Sequence, residues 1–174
     1  DAEALLNRAL ELAPQFDAAR YARALVLSRL SRVPEALSDI DRLIAKAPDN
    51  LAYLNLRAST LVRVGEYESA SEIYRRVLAE RPREAKIWMS LGHVLKTMGR
   101  VEEGIDAYKQ SLAARPELGE SWWSLANLKT YKFSASEIEA MNAALSSGSI
   151  ADEDALHLHF ALGKAYEDCD AYAL

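Results

Sequence analysis

The stretch RLIAKAPDNLAYLNL, residues 42–56, joins two apolar segments of helical pattern through Pro48. Proline lacks a backbone N–H and clashes with the preceding helical turn, so Pro48 ends one helix just before the next begins. The stretch RRVLAERPREAKIWM, residues 75–89, has the same arrangement around Pro82. Each stretch therefore predicts a junction between two helices.

These junctions recur at a fixed interval along the chain. The prolines Pro14, Pro48, Pro82 and Pro116 lie 34 residues apart. Gly65 and Gly99 fall between successive prolines and follow the same period. A period of this length is typical of an array of helix pairs, in which each pair buries its apolar faces against its neighbours.

The first helix of these pairs carries a second pattern. WMSLGHVL contains Trp88, Leu91 and Gly92 in the spacing W-x2-L-G, and HFALGKAY continues the motif through Gly163 and Tyr166. Together with the period, these residues resemble the tetratricopeptide repeat. The resemblance implies an all-α fold, a right-handed α-solenoid of antiparallel helix pairs.

We expect a single array over residues 1–174. Its parts are the second helix of a truncated repeat at 1–14, full repeats at 17–48, 51–82 and 85–116, an atypical repeat at 119–148, and the start of a further repeat at 152–174. The fourth repeat is atypical because Phe133 stands at the place of Gly65 and Gly99. Ser134 and Glu137 then have the spacing of a capping box that begins a new helix.

Small residues at corresponding places predict close approach of the two helices of each pair. They are Ala58, Gly92, Ala126 and Gly163 on first helices, and Ala36 and Ala70 on second helices. A glycine or alanine lets the two backbones approach, and larger side chains fill the remaining space. Close packing of this kind stabilises an array as a sum over its interfaces.

Composition limits the function classes. The 174 residues are 50% hydrophobic and 27% charged, and the net charge of −5 argues against nucleic acid or an anionic membrane as the partner. No apolar run reaches the roughly 20 residues that a membrane span needs. The lone Cys169 excludes an intramolecular disulfide and indicates a reducing compartment. We therefore expect a cytoplasmic protein.

The sequence contains no motif that predicts catalysis, a cofactor or a metal in this segment. It has no glycine-rich phosphate loop, no G-x-S-x-G stretch and no clustered Cys and His. His157 and His159 lie two residues apart, which on a helix directs their side chains about 160° from each other. Cys169 has no activating partner in the sequence. We expect no catalytic residue, no cofactor and no metal site.

Residues 85–174 carry a second, more specific resemblance. In this order, LGHVLKTMGR, SWWSLANLKTYKFS and LHFALGKAYED resemble the amino-terminal region of bacterial tetratricopeptide-repeat sulfotransferases. In that family a catalytic domain follows the repeats and transfers a sulfuryl group from 3′-phosphoadenosine 5′-phosphosulfate, with a Pro-Arg-Ser-Gly loop at its start. Such a loop is not present in this sequence. The resemblance implies a regulatory or positioning region rather than the enzyme itself.

The adjacent tryptophans Trp122 and Trp123 locate a candidate binding surface. We count places within each repeat from residues 17, 51, 85, 119 and 156. Trp122 is at place 4, with Trp88 and Leu54, on the face that packs between helices; Trp123 lies about 100° away at place 5. The concave face of a repeat array carries places 2, 5, 9, 12 and 13. The predicted groove residues are Tyr21, Arg29, Asn55, Arg63, Lys86, Met89, His93, Lys96, Trp123, Asn127 and Tyr131.

Exposed aromatic residues beside amides and cations are typical of recognition surfaces. The groove is therefore expected to bind a protein or peptide, or a downstream domain of the same protein. Its first three repeats offer cations, whereas Glu120, Glu167 and Asp168 add acids near its end. The alternative is that Trp123 and Tyr131 pack against the second helix of the fourth repeat or the loop at 146–154.

The opening helix carries an apolar face without a first helix of its own repeat. Its residues are Leu5, Leu6 and Leu10. Terminal repeats that lack polar caps expose the surface on which repeats stack. This face therefore predicts self-association through the terminal repeats.

Overall fold

The computed structural model describes residues 2–148 and 150–168, where it has ten helices and no strand. The helices are α1 (Ala2–Leu12), α2 (Asp17–Arg29), α3 (Val33–Lys46), α4 (Leu51–Arg63), α5 (Tyr67–Glu80), α6 (Ala85–Thr97), α7 (Val101–Ala114), α8 (Gly119–Ala126), α9 (Ala135–Ser146) and α10 (Asp152–Asp168). The predicted all-α fold is confirmed.

The chain divides into two compact units, residues 1–80 and residues 81–174. In the first unit α1 packs on α2, α2 on α3, α3 on α4, and α4 on α5. Leu10 of α1 is buried within this unit, so it is not part of the exposed face that the sequence predicted. In the second unit α6 packs on α7, α7 on α8, α8 on α10, and α9 on α10. The connections within the pairs α2/α3, α4/α5 and α6/α7 are short, so the helices of each pair run antiparallel.

The tight turn within each of these pairs depends on place 15. Ser31, Gly65 and Gly99 occupy it with φ angles of 59°, 83° and 78°. In this left-handed conformation the next backbone N–H donates to a carbonyl of the preceding helix, at 2.9, 3.1 and 2.9 Å. Glycine adopts positive φ without a Cβ clash, which explains the two periodic glycines.

The prolines have a second role that the sequence pattern did not reveal. The Nε1 atoms of Trp88 and Trp122 donate to the carbonyl oxygens of Pro82 and Pro116, each at 2.8 Å. In the first repeat the guanidinium of Arg20, also at place 4, donates to the carbonyl of Pro14. A side-chain donor at place 4 thus satisfies a carbonyl that lies outside the preceding helix.

The second repeat has leucine at place 4 and stabilises its junction differently. Leu54 cannot donate a hydrogen bond, but the side chain of Asn50 caps α4. Its Oδ1 atom accepts from the backbone N–H groups of Ala52 and Tyr53, at 3.0 and 3.3 Å. A cap of this kind stabilises a helix by about 1 kcal/mol.

The two helices of the third repeat approach each other closely at a glycine. A Cβ atom placed on Gly92 of α6 would lie 2.6 Å from the ring of Tyr108 on α7, so glycine makes room for the tyrosine. Gly104 of α7 in turn lies against the backbone of Lys96. In this repeat, place 8 of the first helix therefore packs beneath place 24 of the second helix, as Gly92 predicted.

A buried ion cluster stabilises the first unit. Asp39 of α3 accepts from Arg23 of α2 at 2.7 and 2.8 Å and from Arg20 at 3.2 Å. Asp39 and Arg20 are both buried. The Asp39 carboxylate raises the pKa of Arg23 through its hydrogen bond. Two cations thus compensate the burial of one carboxylate.

The fourth repeat departs from this plan after a short first helix. Helix α8 ends at Ala126, and residues 127–134 lead to α9, whose N-terminus has the predicted Ser134/Glu137 capping box. Phe133 is buried and its ring contacts that of Trp122 at a tilt, with ring centroids 6.1 Å apart. The core around it contains Tyr108, Leu125, Met141, Leu158 and Leu162. Helix α8 packs against α10 rather than forming a close pair with α9.

Candidate functional site

The two adjacent tryptophans occupy different environments. Trp122 is 4% exposed and belongs to the core, whereas Trp123 is 41% exposed. The packing position of Trp122 agrees with its sequence assignment. The ring of Trp123 lies beside His157 of α10, with centroids 5.6 Å apart. Part of the Trp123 ring is therefore exposed, and another part lies against α10.

His157 is the residue of this surface that the sequence assignment missed. It stands at place 2 of its repeat, one of the five places that define the groove, so the register alone would have found it. The exposed ring of Phe160 stands at place 5 of the same helix, as Trp123 does in α8. We call the neighbouring rings of Trp123 and His157 the aromatic surface of the second unit.

His93 connects α6 to α8. Its Nε2 atom forms a hydrogen bond with Oγ of Ser124 at 3.1 Å, and its ring meets Tyr108 edge-on at 5.4 Å. Burial lowers the pKa of His93, because the charged imidazolium is poorly solvated there, although Glu120 opposes this effect. His93 is therefore neutral near pH 7 and acts as a positioned polar group, not as a cation.

Tyr131 follows the packing alternative rather than the groove assignment. Because α8 ends at Ala126, place 13 of this repeat is no longer on a helix. The ring of Tyr131 meets Phe133 edge-on at 5.2 Å, and its hydroxyl donates to the carboxylate of Glu137. Lys109 lies over the ring, 5.3 Å from its centroid. Tyr131 thus stabilises the start of α9.

Asn127 is the C-terminal cap residue of α8 and is exposed. Its Nδ2 atom donates to the carbonyl oxygen of Trp123 at 2.9 Å. The amide therefore hydrogen-bonds the backbone carbonyl of Trp123 in the last turn of α8. Its Oδ1 atom remains as an acceptor for a ligand.

The other predicted groove residues of the second unit are cationic. Lys86 is exposed and Lys96 half-buried on α6. On α10, Lys164 forms an ion pair with Asp168 one turn later. Asp168, one of the three acids expected to make this end of the groove negative, is thus paired with a cation.

The predicted groove residues of the first unit lie on α2 and α4. Tyr21 is half-buried and contacts Tyr53, with ring centroids 5.6 Å apart. Arg29, Asn55 and Arg63 are exposed. This surface combines one aromatic ring with amide and guanidinium groups, and its binding role stays a prediction.

The part of the chain that the structure describes contains neither a cluster suited to a metal ion nor a membrane-spanning helix. Within residues 2–148 and 150–168, no three His, Cys, Asp or Glu side chains come together as a metal site would require. In that same part of the chain no helix is long and apolar enough to cross a membrane. Cys169 lies outside the described residues.

Comparisons with known proteins place the fold in a family. The family description "Psidin, N-terminal TPR repeats region" matches residues 32–143, and "Tetratricopeptide repeat" matches residues 1–50. No curated protein sequence matches this chain significantly.

Solved structures share the fold. MamA from Desulfovibrio magneticus RS-1 is 14% identical, with 99% of this chain and 86% of that chain covered and a TM-score of 0.64. TTC0263, a thermophilic TPR protein in Thermus thermophilus, is 23% identical, with 97% and 84% covered and a TM-score of 0.64. Since the Psidin description matches more than half of the sequence, the chain belongs to the tetratricopeptide-repeat family.

Proposed function

We propose that this chain is a scaffold that binds a protein or peptide, and that the second unit binds it on the aromatic surface around Trp123. The observation that supports this proposal is the exposure of Trp123 beside its buried neighbour Trp122. A large exposed ring that is held in one position loses little entropy on binding. Such aromatic residues supply much of the binding energy at protein interfaces.

The surroundings of Trp123 favour a partner with an apolar anchor. Phe160 is also exposed on α10, and Met89 packs its side chain partly into the core. The ordered Asn127 amide offers an acceptor to the backbone N–H of an extended segment. Lys86 and Lys96 would attract acidic residues that flank the anchor, which mainly affects orientation and association rate.

Selection from a random peptide library displayed on phage tests this proposal. A peptide selected on the native chain should bind Trp123→Ala about 30-fold more weakly, because loss of an aromatic hot spot costs about 2 kcal/mol in binding. Phe16→Ala is the matched control, since Phe16 is an exposed aromatic residue of the first unit. Equal affinity for the native chain and Trp123→Ala, or failure to select any peptide, would contradict the proposal.

The alternative function is a regulatory or positioning region for a sulfotransferase domain that follows this chain. It rests on the sequence resemblance of residues 85–174. A Pro-Arg-Ser-Gly loop in the coding sequence after Leu174 would support it. In that case the aromatic surface would take a segment of the following domain as its partner, and the present segment would itself bind no phosphosulfate nucleotide in a calorimetric titration.

A further inference from the structure

Helix α8 carries the exposed Trp123, yet it is the shortest helix in the described part of the chain. It has eight residues, and its N-cap residue is Leu118, whose side chain cannot accept a hydrogen bond. A helix of about two turns is marginal on its own, because its first N–H groups lack partners and few backbone bonds offset the cost of nucleation. The position of Trp123 therefore depends on what packs against α8.

Asp154 supplies a cap for α8 from a distant part of the chain. Its Oδ1 atom accepts from the backbone N–H of Gly119 at 2.9 Å, and its Oδ2 atom accepts from the guanidinium of Arg115 at 3.1 Å. Asp154 is in the first turn of α10, and Arg115 is the C-cap residue of α7. A carboxylate is also favourable at the positive N-terminal end of a helix. One side chain thus connects the end of α7, the start of α8 and the start of α10.

The backbones of α8 and α10 meet at the same point. A Cβ atom on Gly119 would lie 2.1 Å from the carbonyl oxygen of Asp154, so this contact requires glycine. Gly119 is buried, and the Asp154 side chain is only 19% exposed. Any side chain at residue 119 would force the two helices apart.

The aromatic surface lies one turn further along both helices. Trp123 follows Gly119 by four residues and His157 follows Asp154 by three, so each pair of residues shares one face of its helix. The rings of Trp123 and His157 lie 5.6 Å apart. The Nδ1 atom of His157 is buried and forms no hydrogen bond within the described residues. Packing of α10 on α8, and not a hydrogen bond at that atom, therefore places the His157 ring.

We propose that Asp154 is a positioning residue for ligand binding. By capping α8 and connecting α10 to it, Asp154 holds His157 beside Trp123 and so assembles the aromatic surface. This inference rests on the proposed function, because it concerns the same surface. It makes ligand affinity depend on a carboxylate that the ligand itself does not touch.

The first test observes Trp123 directly and needs no ligand. The chain has three tryptophans, so a proton–nitrogen correlation spectrum shows three indole signals, and Trp123→Ala identifies one of them by removing it. Asp154→Ala should shift this signal, because the neighbouring ring of His157 moves. Asp152→Ala removes an exposed acid from the same turn and should leave the signal in place. An unchanged Trp123 signal in folded Asp154→Ala would overturn the proposal.

The second test asks whether Asp154 acts through His157. The probe is the peptide selected on the native chain, and Asp154→Ala and His157→Ala should each bind it about fivefold more weakly. The double variant should bind no more weakly than His157→Ala alone, because both substitutions remove the same contribution. Asp152→Ala should bind as the native chain does. Losses that multiply in the double variant would show that Asp154 does not act through His157, which contradicts the proposal.

A milder variant answers the question if Asp154→Ala does not fold. Arg115→Ala removes one of the two hydrogen bonds to Asp154, from a side chain that is 40% exposed, so the fold should persist. It should shift the Trp123 indole signal less far than loss of the carboxylate and weaken peptide binding about twofold. An unshifted signal together with native affinity would count against the positioning role.

The two proposals can fail separately. The proposed function fails if Trp123→Ala binds the selected peptide as tightly as the native chain does. The positioning role alone fails if Trp123→Ala weakens binding while Asp154→Ala leaves both the affinity and the Trp123 signal unchanged.

Discussion

The third and fourth repeats have closely similar first helices and different second halves. The sequences WMSLGHVL and WWSLANLK share the tryptophan, serine and leucine of the motif. In the third repeat, Gly99 turns the chain back with a positive φ and α7 packs closely on α6. In the fourth, Phe133 occupies that place without a positive φ, and α8 pairs with α10 instead.

The loss of the close helix pair thus accompanies the loss of the positive-φ turn residue. The fourth repeat also lacks the aromatic ring of place 24, since Asn142 stands where Tyr108 stands in the third. Phe133, in the loop between α8 and α9, instead adds a buried ring to this core and contacts Trp122. The first helix of a repeat therefore does not determine how the second one packs.

The largest effect should come from the core tryptophan of the fourth repeat. Trp122→Ala removes a buried ring and its hydrogen bond to Pro116, and we expect a loss of about 3 to 5 kcal/mol in the free energy of unfolding. Trp123→Ala should cost less than about 1 kcal/mol, because much of that ring is exposed. Thermal or urea unfolding of the two variants measures both values. Equal losses would show that Trp123 is a packing residue.

Exchange of the two turn residues should have an intermediate and unequal effect. Phe133→Gly removes a buried ring, and we expect a loss of about 3 kcal/mol. Gly99→Phe forces a bulky residue into the left-handed region, which costs about 1 to 2 kcal/mol, while the space around it is open. Urea unfolding of each single variant gives the comparison. A stabilised Phe133→Gly would mean that the fourth repeat can adopt the turn of the third.

The smallest effect concerns the cap of α9. Burial raises the pKa of Glu137, but hydrogen bonds from Tyr131 and Ser134 outweigh burial and hold that pKa below its usual value. The folded state therefore favours the carboxylate more than the unfolded state does. Its stabilising contribution is present above the ordinary Glu pKa of about 4.3 and is lost as the pH falls through the lower folded pKa.

Glu137→Gln measures this contribution. The native chain should have a higher melting temperature than the variant near pH 7, by a few degrees at most, and the difference should shrink in acid. Glu139→Gln on the exposed side of the same helix serves as control. A difference between native chain and Glu137→Gln that is independent of pH would contradict the role of the carboxylate.

Sequence predicted the periodic part of the fold well. The 34-residue spacing of the prolines and the glycines at place 15 indicated where helices end, because both act through local backbone geometry. The capping box of α9 could be read for the same reason. Trp122 and Trp123 could be separated because they differ by about 100° on a helix whose packing face was known.

Other features depend on contacts that no local pattern encodes. The register predicts Tyr131 on the first helix of the fourth repeat, but α8 ends five residues earlier, and no glycine or proline marks that end in the sequence. The hydrogen bonds from place 4 to the proline carbonyls come from Arg20 as well as from tryptophans. Because place 4 has no single residue type, the sequence pattern did not predict these bonds. A Cβ atom on Gly163 would meet no atom within 4 Å, whereas one on Gly92 would meet Tyr108. The Leu-Gly motif is the same at both places, so the sequence could not predict this difference.

The buried Arg20–Asp39 pair limits how freely this chain can be recombined. Asp39 stands at place 23, where the second repeat has Ile73 and the third has Ala107. A chimaera that joined α2 to the second helix of another repeat would bury the guanidinium of Arg20 without a counter-ion, at a cost of about 3 to 5 kcal/mol. Helices α2 and α3 are therefore one indivisible module, and duplication or shuffling of repeats in this chain must transfer both together.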